Sequence, residues 1–421
     1  MKNNDLVKVI DYWQNSIQQN NLYPREIVDK IDIGSKEVID IIGVRRSGKS
    51  SVLKLLIGKI GQKKDCLYIN FEDPFFVKYD QAQIIEELIE TYKEYFSENL
   101  KYLFFDEIQN IKNWEKAVRK LRDGSKYKIF VTGSSSKLLS QELSTLLSGR
   151  HLSYQLFPLS YKEYLIFNNL IIDNKKDLIL KEKKLLRLFD SYLAGGGFPE
   201  ITISNKQELI KQYYADIIEK DIIRRFDVRQ KDILEKMGIF IITNAAKIVS
   251  SASLKNTYQI SFEMVSNYLE YLKESFLIFE LPQFFYSLKS QQKSLKKFYA
   301  IDSGLANAVS FRFSEDKGRL LENCVFLELK RRKQEIYYYK TAGGNEVDFL
   351  IKQDKSSLLI QVSWRLADSK TKQREIRSLV KAMKELKTNK AIILTYNSQE
   401  ELKLGNKKIS IMPVFKWLLL S

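Results

Sequence analysis

The chain has 421 residues, of which 44% are hydrophobic and 12% aromatic, so it can bury several cores and should form roughly two to four domains. Two cysteines and a single histidine exclude a disulfide framework and a Cys/His zinc site, which fits a reducing cytoplasm. The net charge of +17 favours a polyanionic partner, nucleic acid first, although a lysine-rich composition along the whole chain gives the same charge without one.

The N-terminal residues, MKNNDLVKVIDYWQNSIQQN, do not have the charged-then-apolar form of a leader. The chain also lacks a run of about eighteen apolar residues. We therefore expect a cytoplasmic protein that is neither secreted nor associated with a membrane.

A phosphate-loop pattern interrupts an apolar stretch at residues 41–53, IIGVRRSGKSSVL. Gly43, Gly48, Lys49 and Ser50 occupy the fixed positions of G-x-x-x-x-G-K-[ST]. The apolar residues before the pattern predict a buried strand, and residues 51–57 after it have helical spacing. This strand, loop and helix order is the context that a phosphate-binding loop requires.

The pattern predicts specific contacts with a nucleotide. Glycines let backbone N–H groups turn toward a polyphosphate, Lys49 reaches the β and γ phosphates, and Ser50 can bind magnesium. The alternative is a glycine turn before a basic helix. The residues predicted to bind the nucleotide are Gly43, Val44, Arg45, Arg46, Ser47, Gly48, Lys49, Ser50 and Ser51.

A pair of acids ends a later apolar segment, KYLFFDEI at residues 101–108. An acid at the end of a strand beside a phosphate loop can hold the hydration shell of magnesium, and a following glutamate can polarise the attacking water. We predict that Asp106 binds magnesium together with Ser50 and that Glu107 is the general base. The alternative is a strand that ends in solvated acids.

The first part of the chain alternates strands and helices. Strands are predicted at 38–43, 66–71, 101–106, 127–133 and 152–158, with helices such as 83–89 and 114–121 between them. This alternation predicts a parallel sheet covered by helices on both faces, with the ligand at the carboxyl ends of the strands. The phosphate loop, the two acids and the polar segment 132–136 all lie at those ends.

The motifs GVRRSGKS, LFFDEIQN, FVTGSSSKLLS, LLSGR and LFPLSYKEYL resemble, in order and spacing, the AAA-superfamily ATPases of archaea and bacteria. In particular, they resemble a group of predicted ATPases with an uncharacterised C-terminal region. This resemblance implies ATP and Mg2+ as ligands, with Ser134 as a catalytic sensor residue. It also implies that Arg150 acts as an arginine finger on a neighbouring subunit's nucleotide in a homo-oligomer. The alternative for Arg150 is a cation that satisfies the dipole at a helix C-terminus.

The middle of the chain is predicted to be mostly helical. A helix from Leu185 stops at GGGFP, where the glycines are either a helix terminator or a hinge, and a long helix covers 208–229. Residues 232–285 predict two short helices, a turn over SASLKNTY, a helix capped by Ser261 and a strand at 276–281. This order resembles a winged helix-turn-helix. The third helix carries an acidic face, which favours packing over DNA binding, at Glu263, Asn267, Glu270 and Glu274.

The last segment predicts a helix at 318–330, paired strands at 336–340 and 346–351, a third strand at 358–363, and a helix and strand within 388–396. It resembles the restriction-endonuclease fold, in which Glu322 and Asp348 match two of the metal-binding acids. Gln361 and Ser363 stand where that fold has a glutamate and a lysine, so we expect no nuclease activity. The basic residues proposed to contact phosphates, or else to form a solvated face, are Lys330, Arg331, Arg332, Lys333 and Arg365.

The predicted fold class is therefore α/β, with a parallel-sheet P-loop ATPase core, a helical and winged-helix-like middle region, and a small restriction-endonuclease-like C-terminal domain. The predicted domains are 1–30, a helix and linker; 31–160, the ATPase core; 161–230, a helical lid; 231–290, the winged-helix-like domain; and 291–421, the C-terminal domain. The predicted function is ATP hydrolysis coupled to a partner such as nucleic acid. The alternatives are a nucleotide-dependent switch or scaffold with little turnover and an ATP-regulated nuclease.

Overall fold

A computed structural model of the chain describes residues 2–17, 22–135, 149–310, 316–353, 356–366 and 369–420. The chain divides into two compact units, one formed by Met1–Phe157 with Glu274–Phe276 and the other by Pro158–Lys273 with Leu277–Ser421. Within the described ranges, no helix is long and apolar enough to cross a membrane. The predicted polar residue Ser136 and the helix predicted ahead of Arg150 lie outside the described residues.

The first unit is built on a five-stranded parallel sheet with the order β2-β3-β4-β1-β5. The strands are β1 Val38–Ile42, β2 Cys66–Asn70, β3 Tyr102–Asp106, β4 Lys128–Gly133 and β5 His151–Gln155. The helices of this unit are α1 Lys2–Ser16, α2 Ile27–Lys30, α3 Lys49–Ile60, α4 Gln83–Tyr95 and α5 Trp114–Asp123. The predicted α/β core with a parallel sheet is confirmed.

Both faces of this sheet are buried. Side chains alternate along a strand, so Leu67 and Ile69 of β2 join an apolar cluster with α1, α4 and α5. Cys66 and Tyr68 of the same strand join a second cluster with α3. Burial on both faces explains why β2 and β3 are apolar over most of their length rather than alternating. The polar residues Asn70 and Asp106 end these two strands at the carboxyl edge of the sheet.

From residue 158 to about residue 247 the chain is helical, and further helices alternate with strands after that. The helices are α6 Tyr161–Phe167, α7 Asp177–Leu180, α8 Glu182–Gly195, α9 Pro199–Ser204, α10 Leu209–Asp216, α11 Arg224–Phe226, α12 Lys231–Thr243, α13 Ser251–Tyr258, α14 Phe262–Glu274, α15 Leu288–Lys293, α16 Ser303–Val309, α17 Lys317–Arg331, α18 Ser369–Glu385 and α19 Val414–Leu419. A π-helical stretch, Ile217–Ile223, joins α10 to α11. The long helix predicted over 208–229 is therefore continuous to Phe226 but not uniform.

Two further sheets follow. A three-stranded antiparallel sheet has the order β6-β8-β7, with β6 Ile248–Val249, β7 Ile278–Pro282 and β8 Lys296–Ala300. A six-stranded mixed sheet has the order β13-β14-β12-β11-β10-β9. Its strands are β9 Ile336–Lys340, β10 Glu346–Gln353, β11 Ser356–Ser363, β12 Lys390–Thr395, β13 Glu400–Leu404 and β14 Lys407–Pro413. The predicted helical middle and separate C-terminal sheet are confirmed at this level.

The prediction for residues 233–258 is wrong in detail. SASLKNTY forms helix α13 rather than a turn, and its N-cap Ser250 accepts a hydrogen bond from the Ser253 N–H at 3.1 Å. The residues before it form one helix and the strand β6 rather than two helices. Small polar residues favour turns in isolation, but Leu254 is buried at 1% exposure and ties α13 to the core.

The triple glycine at 195–197 marks a close approach between two segments of the second unit. Helix α8 ends at Gly195, and Gly196 has φ 77°. A Cβ on Gly196 would lie 1.9 Å from Oδ1 of Asp302, whose Oδ2 accepts a hydrogen bond from the Gly197 N–H at 2.7 Å. The glycines thus end the helix and admit the carboxylate that also caps α16.

Candidate nucleotide-binding site

The loop between β1 and α3 depends on two glycines. A Cβ on Gly43 would lie 2.2 Å from the Leu156 carbonyl oxygen, so only glycine fits where the loop passes that backbone. Gly48 has φ 97°, a conformation that glycine adopts without strain, and it immediately precedes α3. The loop therefore turns sharply from a buried strand to the positive end of a helix, which is where phosphates bind.

Lys49 lies at the centre of this loop and is only 4% exposed. Its Nζ donates hydrogen bonds to the carbonyl oxygens of Gly43 at 3.2 Å and Val44 at 3.5 Å. The same Nζ lies 3.1 Å from Oε1 of Glu107. The loop lysine and the predicted general base are therefore in direct contact.

The remaining loop residues have distinct environments. Val44 is fully buried, Arg46 has φ 68°, and Arg45 reaches Glu72 with Nη1 2.7 Å from Oε1. The Ser47 hydroxyl is buried without a hydrogen-bond partner among the residues that the structure describes. Buried polar groups are nearly always satisfied, so this hydroxyl is available for a ligand oxygen.

Arg25 fixes the loop from behind. Its guanidinium is 5% exposed and donates to the carbonyl oxygens of Ser47 and Phe157, both at 2.8 Å. These bonds tie the loop to the segment that follows β5. The sequence placed Arg25 in a linker, and no local pattern marks it, because its partners lie 22 and 132 residues away.

The carboxylate of Asp106 is fully buried at the carboxyl edge of the sheet. Its Oδ2 accepts hydrogen bonds from the Tyr68 hydroxyl at 3.0 Å and the Asn70 amide at 3.3 Å, and its Oδ1 accepts one from the Thr132 hydroxyl. The donors lie on the strands β2 and β4, which flank β3. The sequence does not predict Tyr68 and Asn70 as partners of Asp106. The only local sign of their role is that β2 ends in a polar residue.

Asp106 is also hydrogen-bonded to Ser50. Burial raises the pKa of Asp106 and the adjacent Glu107 adds to the rise, whereas the hydrogen bonds with Ser50 and Thr132 oppose it. A carboxylate that is buried and short of positive charge is a suitable ligand for a divalent cation. The two predicted magnesium ligands are therefore brought together.

Glu107 has φ 49°, an uncommon value for a residue other than glycine. The Thr132 hydroxyl accepts its backbone N–H at 2.9 Å, and Gln109 donates to its Oε2 at 2.5 Å. Burial acts to raise the pKa of Glu107, but Lys49, the Gln109 hydrogen bond and Arg45 outweigh burial and lower it. The side chain is therefore held as a carboxylate, the form that accepts a proton.

Ser134 and Arg150 lie in different places. Ser134 follows β4 at the carboxyl edge and is 3% exposed. Arg150 precedes β5, and its carbonyl oxygen accepts the Val38 N–H at 3.1 Å, at the opposite end of β1 from the loop. Its Nη1 lies 2.9 Å from Oδ1 of Asp123. The structure thus gathers every predicted site residue except Arg150.

The arrangement fits a magnesium nucleotide. Ser50 and Asp106 offer the hydroxyl and carboxylate oxygens that Mg2+ prefers, and Lys49 offers an ammonium to phosphate. The buried hydroxyl of Ser47, which has no hydrogen-bond partner within the described ranges, adds a donor inside the loop.

The C-terminal region brings a second set of predicted residues together. Glu322 of α17 accepts hydrogen bonds from Lys297 at 3.0 Å and Tyr299 at 2.7 Å. The same Lys297 Nζ lies 3.4 Å from Oδ1 of Asp348 in β10. Burial raises the pKa of Asp348 to about 8, Glu322 adds to the rise, and Lys297 opposes it.

Gln361 and Ser363 lie beside this cluster on β11. The Asp348 N–H donates to Oε1 of Gln361 at 3.2 Å, and the Ser363 hydroxyl donates to the Arg365 carbonyl oxygen at 3.3 Å. Gln361 thus contacts backbone rather than contributing charge. The restriction-endonuclease likeness of this region stays a prediction.

Two of the predicted basic residues at the end of α17, Arg331 and Arg332, are engaged within the second unit, whereas Lys333 is exposed. Arg331 donates to the carbonyl oxygens of Pro158 at 3.1 Å and Leu159 at 3.2 Å. Arg332 pairs with Glu328 at 2.8 Å and donates to the Trp417 carbonyl oxygen at 3.1 Å. Both guanidiniums hold the second unit together, so they are poor candidates for phosphate contacts.

Known families match most of the chain. A family described as AAA domain matches residues 35–165, which contain all the predicted nucleotide- and magnesium-binding residues. Two families described as Domain of unknown function, DUF8612 and DUF4143, match residues 186–316 and 317–417.

Relatives match along nearly the full length. The Uncharacterized protein MJ1544 of Methanocaldococcus jannaschii is 38% identical, over 96% of this chain and 96% of its own. An Uncharacterized protein of Haemophilus influenzae is 30% identical, over 90% of this chain and 93% of its own. Among solved structures, C. elegans PCH-2 is similar with 14% identity and a TM-score of 0.30, covering 47% of this chain and 65% of that one.

Proposed function

Because the chain belongs to the family of the Methanocaldococcus jannaschii protein MJ1544 and carries an AAA domain around its phosphate loop, we propose that it binds and hydrolyses ATP. The loop N–H groups and Lys49 hold the β and γ phosphates. Ser50 and Asp106 would hold Mg2+, which supplies positive charge to the phosphates. Ser134, at the same edge of the sheet, makes a polar contact with the γ-phosphate.

The chemistry assigned to this site is attack of water on the γ-phosphorus. Glu107 takes a proton from the water as its oxygen bonds to phosphorus. The bond from the γ-phosphorus to the bridging oxygen breaks, and ADP leaves with that electron pair. Arg150 of a neighbouring subunit stabilises the charge that develops on the transferred group.

One observation carries this proposal. The Glu107 carboxylate lies 3.1 Å from the ammonium of Lys49, which directly follows Gly48 at the start of α3. A phosphate that binds Lys49 is therefore adjacent to a carboxylate with a lowered pKa. Proximity of phosphate, base and cation is what hydrolysis requires.

The test compares Glu107→Gln with the unchanged protein. The amide that replaces the carboxylate cannot accept the proton, so we expect ATP affinity within a few-fold and turnover lower by about 100-fold or more. Calorimetry measures binding, and phosphate release with magnesium measures turnover. Glu72→Gln is the matched control, because Glu72 forms an exposed ion pair with a loop arginine.

Three outcomes are distinguishable. Loss of turnover with retained binding in the Glu107 variant alone supports hydrolysis at this site. Tight ATP binding by the unchanged protein without turnover makes it a nucleotide-dependent switch or scaffold instead. Turnover that persists in the Glu107 variant shows that Glu107 is structural.

We also propose that residues 283–295, between β7 and β8, contact nucleic acid. The order α12, β6, α13, α14, β7, β8 supports a winged-helix-like domain in which this loop is the wing. Tyr286 is 87% exposed and Leu288 75% exposed, and Lys289 and Lys293 are exposed beside them. No acidic residue occurs from 281 to 301.

The third helix of this domain is a poor alternative surface. Its exposed residues include Glu263, Asn267 and Glu270, while Glu274 is buried at 2% exposure. Carboxylates on the exposed face repel phosphates. Because α14 exposes carboxylates and the loop at 283–295 exposes lysines, the loop is the better candidate for the nucleic-acid contact.

Polarisation of labelled duplex DNA, single-stranded DNA and RNA over a salt series tests this proposal. Lys289→Glu with Lys293→Glu should weaken binding and make the slope of log K against log salt shallower by about two. Lys183→Glu with Lys184→Glu, two exposed lysines of α8, is the matched control. Equal effects of the two pairs indicate non-specific charge, and no binding at low salt removes the proposal.

A further inference from the structure

A buried lysine stands among three carboxylates in the second unit. Lys297 in β8 is 2% exposed. Its Nζ lies 2.7 Å from Oε1 of Glu346, 3.0 Å from Oε1 of Glu322 and 3.4 Å from Oδ1 of Asp348. An isolated ammonium at this depth would be unstable, and so would three carboxylates without a cation.

The local structure fixes this arrangement. Glu346 and Asp348 are two residues apart on β10, so strand alternation places both on one face. Lys297 and Tyr299 are likewise two residues apart on β8, and the Tyr299 hydroxyl donates to Glu322 at 2.7 Å. The cluster therefore joins the three-stranded sheet to α17 and the six-stranded sheet.

The distances from the Lys297 Nζ to the carboxylates are those of hydrogen-bonded ion pairs. Hydrogen bonds from an ammonium to carboxylates span about 2.7–3.2 Å, whereas Mg2+ and Ca2+ bind oxygen at roughly 2.0–2.6 Å. Across the part of the chain that the structure describes, no group of three or more histidine, cysteine, aspartate or glutamate side chains is arranged to hold a metal ion.

We infer that the Lys297 ammonium is the resident cation of this centre and takes the place of a divalent metal between Glu322 and Asp348. This inference is independent of the proposed ATP hydrolysis. The ammonium occupies the position between the carboxylates, so a metal that would activate water cannot bind there. The neutral residues Gln361 and Ser363 act in the same direction, because they offer no charge to a metal or to water. Glu322 and Asp348, the acids of the predicted nuclease fold, thus stabilise the contact between the two sheets through Lys297.

The test removes the resident cation. Lys297→Met keeps the length and apolar stem of the side chain but leaves three carboxylates without their shared ammonium. In nucleotide-free protein, we expect Lys297→Met to bind one more Mn2+ per chain than the unchanged protein, measured by electron paramagnetic resonance. Lys296→Met, the adjacent lysine of β8, is the matched control and should bind no additional Mn2+.

Thermal melting gives an independent readout. Lys297→Met should melt about 10 °C lower in a chelator, and added Mn2+ should recover much of the loss. Adding Asp348→Asn to Lys297→Met should abolish the extra Mn2+ site. If the unchanged protein binds Mn2+ and Asp348→Asn removes that binding, or if Lys297→Met gains no Mn2+, the inference is overturned.

A chain with Lys297→Met that does not fold is still informative. Glu322→Gln and Asp348→Asn, added to that variant, remove most of the uncompensated negative charge. The inference predicts that this triple variant folds, because the fault lies in unbalanced charge rather than in packing. A triple variant that also fails to fold contradicts it.

Discussion

The two units each hold a buried lysine that faces carboxylates, and the difference between these lysines is instructive. Lys49 meets one carboxylate, that of Glu107 at 3.1 Å, and two loop carbonyl oxygens. Lys297 meets the carboxylates of Glu322, Glu346 and Asp348. The first ammonium follows a glycine loop, whereas the second lies on a strand between two sheets.

The surroundings decide whether each ammonium can change partners. Glu107 also accepts a hydrogen bond from Gln109 and lies near Arg45, so we expect its carboxylate to keep support when Lys49 binds a phosphate. The three carboxylates around Lys297 share that ammonium, although Glu322 also accepts from Tyr299 and Asp348 from the Val362 N–H. We therefore expect the Lys49 contact to exchange for a phosphate and the Lys297 contacts to persist.

The largest expected effect concerns the nucleotide site of Lys49, Ser50, Asp106 and Glu107, called the open centre below. It tests whether a residue of a neighbouring subunit completes this site. Arg150 lies at the far end of β1 from the loop, so the proposed arginine finger would act on the nucleotide of a neighbouring subunit. Arg150→Ala should lower turnover by about 1,000-fold while preserving ATP binding. Arg119→Ala is the matched control, since Arg119 approaches the same Asp123 at 3.7 Å.

Mixing variants separates action between subunits from action within one. An Arg150→Ala subunit beside a Glu107→Gln subunit creates one interface with an intact arginine and an intact base. The mixture should recover part of the turnover measured by phosphate release. A protein that remains monomeric with ATP by light scattering and still hydrolyses it would contradict the arginine-finger assignment.

The second prediction compares the two lysines directly. Lys49→Ala should weaken ATP binding by roughly 10- to 100-fold, because a charged hydrogen bond to phosphate is lost. Its melting temperature should change little, since Glu107 keeps its other partners. Lys297→Met should do the reverse, with ATP affinity unchanged and melting lowered. Calorimetry of both variants decides, and similar effects on both quantities would remove the distinction.

The open centre was predictable because its chemistry is contiguous in sequence. Gly43, Gly48, Lys49 and Ser50 fall within eight residues, and Asp106 and Glu107 end a recognisable strand. The supporting residues were not predictable in the same way. Arg25 acts on carbonyl oxygens far along the chain. Any residue can supply a backbone carbonyl oxygen, so no sequence pattern indicates which ones Arg25 contacts.

The closed centre, formed by Lys297, Glu322, Glu346 and Asp348, shows where prediction from sequence fails. Glu322 and Asp348 were identified through a family resemblance, but Lys297 was not, because β8 was not predicted as a strand. Its sequence, KKFYA, begins with two lysines and looks like the end of a basic loop. Only the pairing of β8 with β6 and β7 turns Lys297 inward. Pairing between strands distant in sequence is what local patterns do not contain.

The third prediction concerns the support behind the open centre. Arg25→Met would leave the Ser47 and Phe157 carbonyl oxygens without their donors in a buried region. We expect a loss of about 2 to 4 kcal/mol in the free energy of unfolding, measured by urea denaturation. Arg119→Met, which removes an exposed guanidinium, should cost at most about 1 kcal/mol. Equal losses would mean that Arg25 is not an anchor.

A further buried carboxylate, that of Asp40, has a partner that can lose its charge. Asp40 in β1 is fully buried, and its Oδ1 lies 2.9 Å from Nδ1 of His151. Ser153 also donates to Asp40, at 2.5 Å, and Glu37 is a nearby negative charge. The hydrogen bond to Asp40 raises the pKa of His151, burial opposes the rise, and the charges of Asp40 and Glu37 add to it.

The stability contribution of this site should therefore depend on pH. A raised pKa in the folded state means that the stabilisation by His151 is complete below about pH 6.5 and is lost as pH rises through the folded value. His151→Gln keeps a donor for Asp40 but no charge, so it should be less stable than the unchanged protein by about 1 kcal/mol at pH 5.5 and nearly equal at pH 8.5. Urea denaturation at the two pH values measures this difference, and His151 is the only histidine that could titrate there. A difference that grows with pH would show that His151 is neutral beside Asp40.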